Sequence, residues 1–319
     1  MAELGEPFEV QLSDLPAFTS QLLVHRGGDA LRHAFFTRCG GCSEGAYESL
    51  NVGVSQSDLR SNVDQNLTRV ARALGVPRER LVLPRETHSP RVFVVRAPHD
   101  GDGDGGCLQK LQNERPDCDA LVTAERSLAL GVYTADCVPL LLYAPAPASK
   151  SNSNSSANVS DSATATASGK SGGTGATPTR AAVGAAHAGH AGALAGVVQN
   201  VVHELCALSG SSPSDLYVAI GPCIRQASYE VGTDLRERFL AESPANASYF
   251  ARGRDAEHLQ LDLPAYVRSK LLAAGVSASR VDDVGLDTVT RPHDFFSYRR
   301  VRLEGNSSFG NQVSCIMLR

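Results

Sequence analysis

The chain has 319 residues and a formal net charge of −4, which gives no electrostatic footprint for nucleic acid or an anionic membrane. No window is apolar for the length of a membrane-spanning helix, and eight irregularly spaced cysteines are too sparse for a disulfide scaffold. The leading MAELGEPFEV has neither a basic region nor an apolar signal core, so the expected setting is reducing and cytoplasmic.

In chain order, Leu31 to Thr37 reads as a strand and leads into a glycine-rich loop, RCGGCSEGAYESLNVG. Cys39 and Cys42 form a lone CxxC, which lacks the second pair of a zinc ribbon. The polar groups Arg38, Ser43 and Asn51 stand on this loop, where binding residues tend to lie. Leu59, Val63, Leu67, Val70 and Leu74 recur at helical spacing, and Gly75 follows as a stop. Leu81 to Leu83 and Val92 to Val95 read as strands flanking RETHSPR, which holds His88. The run HDGDGDGG from His99 begins like a calcium loop, but Leu111 stands where the closing glutamate belongs, so an acidic turn is expected.

Gly131 to Pro145, GVYTADCVPLLLYAP, reads as an apolar segment of strand length with Asp136 and Cys137 in its middle and a turn at Pro139. Arg180 to Gly192, RAAVGAAHAGHAG, reads as a second buried strand ending in His187 and a glycine-rich turn. Between them, Ala146 to Thr179 is almost entirely Ser, Ala, Thr, Asn, Gly, Lys and Pro. Such a segment buries too little apolar surface to offset ordering, so it is expected to be a disordered insertion within a single domain of about 285 remaining residues. With the insertion excised, the flanking runs become strand, short turn and strand, and Cys137 and His187 share one end of a hairpin. Alone, Cys137 reads as a small buried hydrophobe and His187 as a hydrogen-bonded core histidine; together they suit one metal ion or one substrate.

After Gly192, the residues Leu194, Val197, Val198, Val201, Val202, Leu205 and Leu208 predict a wide apolar helical face. Its first turn, HAGHAG, offers backbone N–H groups at Gly189 to Gly192 to an anion. Leu216 to Ile220 is a further strand, Asp262 caps a helix closed by Gly275, and Val281 to Val289 and Val313 to Leu318 are the last strands, with FFSYRR between them.

The series HAFFTR-x-GG-x-SEG-x-Y-x-SLNVG, ETHS, DALVT…GVYTADCVPLLLY, AAHAG, GPCI…YEVG and FFSYRR resembles, in order and over nearly all of the chain outside the insertion, the laccase-domain or YfiH-like family. Its members were first labelled multicopper polyphenol oxidases and are now regarded as purine nucleoside phosphorylases with adenosine deaminase and methylthioadenosine phosphorylase side activities. The resemblance implies an α+β fold with mixed sheets sandwiched between helix layers, and a single catalytic zinc on His88, Cys137 and His187. It also implies purine nucleosides and phosphate as substrates. Two imidazoles and a thiolate are suitable donors for zinc, and three protein ligands leave a fourth position open for water or substrate, as hydrolytic deamination requires. Phosphorolysis needs anion donors as well, for which Arg38, Arg299 and the Gly189 to Gly192 turn are candidates.

The chain departs from the family pattern at His190 and Ala191, where a tryptophan and an arginine are usual, at Glu86, where a glutamine is usual, at Asp287 and Thr290 in place of paired cysteines, and at Leu67 in place of an arginine. Glu86 reads as an exposed loop residue, with a proton donor or a partner to the histidine as the other possibility. Copper is the alternative metal. Nine histidines without one His-x-His pair, and only Met1 and Met317 as axial candidates, make a multicopper phenol oxidase chemically weak. A cysteine hydrolase built on Cys137, or a member that has lost activity, is the remaining alternative. The sequence carries no signal for an oligomeric state.

Overall fold

The computed structural model describes residues 8–53, 57–96, 108, 111–112, 114–146 and 180–319. The insertion expected at Ala146 to Thr179, beyond its first residue, and the acidic turn from His99 lie outside the described residues. The strands are β1 (Phe8–Leu12), β2 (Leu15–Thr19), β3 (Leu31–Phe36), β4 (Leu81–Val82), β5 (Val92–Val94), β6 (Ala120–Thr123), β7 (Ala129–Thr134), β8 (Val138–Ala144), β9 (Ala182–Ala188), β10 (Tyr217–Ile220), β11 (Glu230–Gly232), β12 (Phe250–Arg252), β13 (His258–Leu261), β14 (Val281–Asp283) and β15 (Gln312–Leu318). One six-stranded sheet runs β1-β2-β3-β15-β7-β4, and a second runs β14-β10-β8-β9-β6-β5. A small third sheet, β11-β13-β12, is hydrogen-bonded to neither, though Val231 and Leu261 pack into the core on the outer side of the second sheet.

The two large sheets pack face to face, and period-2 alternation along each strand divides the core into layers. Phe35, Leu130, Val132, Leu141, Val183, Ala185 and Ile316 fill the space between the sheets. The opposite side of the first sheet, including Ala34, Phe36 and Val313, packs against Val63, Leu67 and Val70 of helix Arg60–Leu74. On the outer side of the second sheet, Leu140, Leu142 and Ala186 meet Val198, Val201 and Leu205 of helix Val197–Ser209, together with Tyr266 and Val267 of helix Leu263–Ala273. Helix, sheet, sheet and helix is therefore the observed order of layers, as the sequence resemblance implied. Leu67, at a position where the resemblance led to an arginine being expected, is fully buried in this packing, which suits an apolar side chain.

Three expected boundaries move. Gly131 to Pro145 is not one strand: β7 belongs to the first sheet and β8 to the second, and the chain crosses between them at Ala135, Asp136 and Cys137. Pro139 is inside β8, opposite His187, and the sharp turn falls instead on Asp136, whose φ is +95°. The helix expected after Gly192 is two helices, His190–Ala195 and Val197–Ser209, separated at Gly196 with φ +99°. A left-handed residue cannot continue a right-handed helix, and glycine adopts that conformation without a Cβ clash. The strand expected over Val281 to Val289 stops at Asp283, just before Gly285 with φ +70°.

The predicted hairpin is present. Strands β8 and β9 pair antiparallel, from Val138 opposite Ala188 to Ala144 opposite Ala182. Deleting residues 147–179 leaves a four-residue connection, a common hairpin length, so the shortened protein should fold with stability changed by no more than about 1 kcal/mol. Urea denaturation of the two forms measures this directly, and a large loss of midpoint would show that the segment supports the fold.

Candidate metal centre

His88 is carried by the loop between β4 and β5, and Asp119 shapes that loop. The buried Asp119 carboxylate accepts the backbone N–H groups of Thr87 at 3.2 Å, His88 at 2.9 Å and Ser89 at 2.6 Å, and the Ser89 hydroxyl at 2.8 Å. His88 itself sits at φ +55°, a left-handed conformation that this set of bonds holds in place. The same carboxylate lies 2.9 Å from His187 Nδ1, and the Asp119 carbonyl accepts the His187 N–H at 2.7 Å. Burial disfavours the Asp119 anion, but the bonds from His187 and Ser89 outweigh it and hold the carboxyl below its usual range. With Nδ1 donating to a carboxylate, the His187 lone pair is on Nε2, the arrangement that suits a metal-ligating imidazole.

Cys137 follows the crossing between the sheets. Asp136 fixes this elbow: its carboxylate accepts the Thr288 hydroxyl and the Arg299 N–H, each at 2.6 Å, and its carbonyl accepts the Ile224 N–H at 2.9 Å. Burial acts to raise the pKa of the Cys137 thiol, yet the imidazoles of His187 and His88 prevail and draw it down to about 6. Such a thiol is a ready thiolate donor.

His88, Cys137 and His187 thus meet, one ligand atom from each lying within 4.8 Å of the others. The two imidazole rings stand edge to face with centroids 4.8 Å apart. Gly189 leaves room for this group, because a Cβ there would lie 2.9 Å from Cys137 Sγ and 3.0 Å from His88 Cδ2. Among the described residues, this is the one His, Cys, Asp and Glu cluster arranged to hold a metal ion.

Glu86 is corrected from an exposed loop residue to a buried side chain, 6% accessible. Oε1 accepts the Tyr133 N–H at 2.8 Å, and Oε2 lies 3.7 Å from His187 Nδ1. Burial pushes its carboxyl up to about 7, against the opposing pull of His187. A cavity of about 520 Å³ opens beside the trio and is lined by His88, Cys137, His190, Tyr229, Arg238 and Arg299 among others. The Tyr229 hydroxyl lies 3.2 Å from His190 Nδ1, and the Arg299 guanidinium lies over the Tyr229 ring at 5.4 Å.

Of the residues expected to contact substrate, Arg299 lines this cavity and the other three do not. Arg38 lines another cavity, with its guanidinium 4.5 Å above the Phe296 ring and donating to the carbonyls of Glu48 at 2.7 Å and Pro292 at 3.1 Å. Ser43 and Asn51 are buried and both donate to Asp58 Oδ2, at 2.6 and 2.8 Å, so they organise the glycine-rich loop. Cys39 and Cys42 contact the His293 carbonyl and Asn66 respectively. Sequence reasoning noted Asp136 beside Cys137 without giving it a role, and missed Asp119, Tyr229 and Arg238 as parts of the site. A carboxylate directly before an apolar strand, as in DALVT, was the available signal for Asp119.

The family model described as multi-copper polyphenol oxidoreductase laccase matches residues 32–150 and 176–319. This chain belongs to that family. It is 34% identical over 272 residues to a purine nucleoside phosphorylase of Streptomyces coelicolor, covering 85% of this chain and 90% of that protein. A purine nucleoside phosphorylase of Streptomyces griseus is 32% identical over 272 residues, with 85% and 90% covered. Among solved structures, YlmD from Geobacillus stearothermophilus superposes with a TM-score of 0.74 at 26% identity, covering 99% of this chain and all of that one.

Replacing Asp119 by Asn removes the charge that anchors both the His88 loop and His187 Nδ1. Metal affinity should fall by about 10- to 100-fold, as for other partners of metal-bound histidines, measurable by competition with a chromophoric chelator. An unchanged affinity would show that the trio is held without Asp119.

Proposed function

We propose that this chain is a zinc-dependent purine nucleoside phosphorylase with adenosine deaminase side activity, in which His88, Cys137 and His187 hold the metal. The observation that carries the reading is the convergence of two imidazoles and a low-pKa thiol beside a cavity of about 520 Å³, two of whose lining residues are His88 and Cys137, within the size range of small-molecule sites. The names of the relatives supply the reaction class. The donors suit zinc, and the absence of a side chain at Gly189 leaves space for an ion beside Sγ. When bound, zinc supplies Lewis acidity and an activated water. Copper is disfavoured: Met317 packs in the cluster under helix Arg60–Leu74, so it is no axial ligand, and multicopper chemistry needs more centres than the one the described residues form.

The chain's own groups fit phosphorolysis. Arg238 and Arg299 bring positive charge to the cavity, where phosphate must lie beneath C1′ as its oxygen forms the new bond and the base departs with the electrons of the old one. Burial, chiefly, pushes the Tyr229 phenol well above its usual range, so it stays protonated and serves as a donor that orients substrate or His190. His190 takes the place of the family's tryptophan in this wall.

Purified protein should carry about one zinc per chain, and Cys137→Ala should carry none. Incubated with adenosine, inosine, guanosine or methylthioadenosine, the zinc-loaded protein should release free base only when phosphate is present. Adenosine should become inosine with or without phosphate, and Cys137→Ala should do neither. Zinc-loaded protein that neither releases base nor deaminates, while added copper brings oxidation of phenols, would replace this reading with the laccase one.

A further inference from the structure

The structure holds another cavity, of about 610 Å³, lined by Arg60, Asp64, Arg78, Arg85, Glu114 and Arg115 together with Gln112; Tyr133 and Glu86 are close enough to act electrostatically on Arg115. None of these residues lines the cavity beside the metal trio. Its guanidinium groups come from different parts of the chain: the first turn of helix Arg60–Leu74, the turn Arg78–Arg80, the segment before His88 and the segment before β6. Four guanidinium groups face two carboxylates in the lining, an excess of positive charge that Asp117, bound to Arg85 at 2.6 Å, reduces without cancelling.

Two observations mark this cleft as built for an anion. Nη1 of Arg115 is buried and has no hydrogen-bond partner among the described residues. A buried cationic donor left unpaired costs more than the roughly 1–3 kcal/mol of a neutral one, so such a group calls for a ligand. Arg78 is held facing the cleft by the Leu81 carbonyl at 3.0 Å and by Gln112, and burial together with Arg115 pushes its pKa down to about 10. Its positive charge is thus not fully compensated by neighbouring carboxylates.

We propose that this cleft is a second binding site, separate from the metal trio, for a small molecule carrying a phosphate group. Planar guanidinium forks converging from several elements match the oxygens of a tetrahedral dianion, whereas a carboxylate is satisfied by one fork. The volume exceeds what bare phosphate fills, which leaves space for the remainder of a phosphate ester.

Calorimetric titration of the zinc-loaded full-length protein with inorganic phosphate, ribose 5-phosphate and adenosine 5′-monophosphate tests the proposal, with adenosine as the uncharged control. A saturable phosphate-dependent site should persist in Cys137→Ala and in Arg299→Gln. It should weaken by about tenfold in Arg115→Gln and by several-fold in Arg60→Gln or Arg78→Gln, with zinc content unchanged. Equal binding of phosphate and its esters identifies the free ion as ligand, and tighter ester binding identifies a phosphorylated metabolite; either supports the site. Arg60 is exposed, so Arg60→Gln keeps the test decisive if Arg115→Gln fails to fold. Absence of saturable binding, binding indifferent to Arg60 and Arg78, or binding lost in Arg299→Gln alone would overturn the proposal, whatever the outcome for nucleoside turnover.

Discussion

The candidate site depends first on the buried carboxylate of Asp119. It gathers the N–H groups of a loop that places His88 at a positive φ, and it also takes the Nδ1 face of His187. Hydrogen bonds to a charged acceptor contribute roughly 1.5–3 kcal/mol each when the acceptor is buried, enough to hold a non-glycine residue in a left-handed conformation that costs about 1–3 kcal/mol. One group therefore fixes two members of the trio, from a loop and from a strand end. It sits directly before β6, which pairs with β9 with Ala120 opposite Ala186, so sheet register itself brings it next to His187.

The third member of the trio depends on the sheets being two. Strand β7 lies in one layer and β8 in the other, and the crossing puts Cys137 where the layers meet. Asp136 pays for an unusual φ with bonds to Thr288, Arg299 and Ile224, groups distant in sequence that close the site from the other side. Gly189 completes the arrangement by what it lacks. Its φ of −71° is open to any residue, and the constraint is space alone, since any Cβ would press on Cys137 and His88.

Much of this was legible in the sequence for identifiable reasons. Helix Arg60–Leu74 follows from periodicity, and the β8–β9 hairpin from two apolar runs on either side of a Ser-, Ala- and Thr-rich stretch. The trio itself followed from the resemblance, and the hairpin reasoning independently brought Cys137 near His187. Other features were hidden because they arise from tertiary contacts. Apolar runs look alike whether they form one strand or two strands of different sheets, so nothing local placed the bend at Asp136 rather than Pro139. Ser43 and Asn51 looked like binding residues because polar groups on a glycine-rich loop do so whether they face a ligand or, as here, Asp58. Glu86 looked exposed because its loop is short and polar, whereas the Tyr133 backbone draws it inward.

The hairpin also explains why a long insertion is compatible with a site this constrained. Cys137 and His187 stand at the end of β8 and β9 where Val138 faces Ala188, while the inserted residues leave from the end where Ala144 faces Ala182. Each strand has seven residues, a separation of about 20 Å at roughly 3.3 Å per residue. Along that length both strands are buried, with Leu141 and Val183 between the sheets and Leu142 and Ala186 under the helices. Side chains packed at interior density on both faces leave the two strands little room to shift, so their register is set by the core along their length rather than by the connection. Length and composition can thus vary at the far end while Cys137 and His187 keep their places, and the family match resumes at residue 176 after a gap confined to that end.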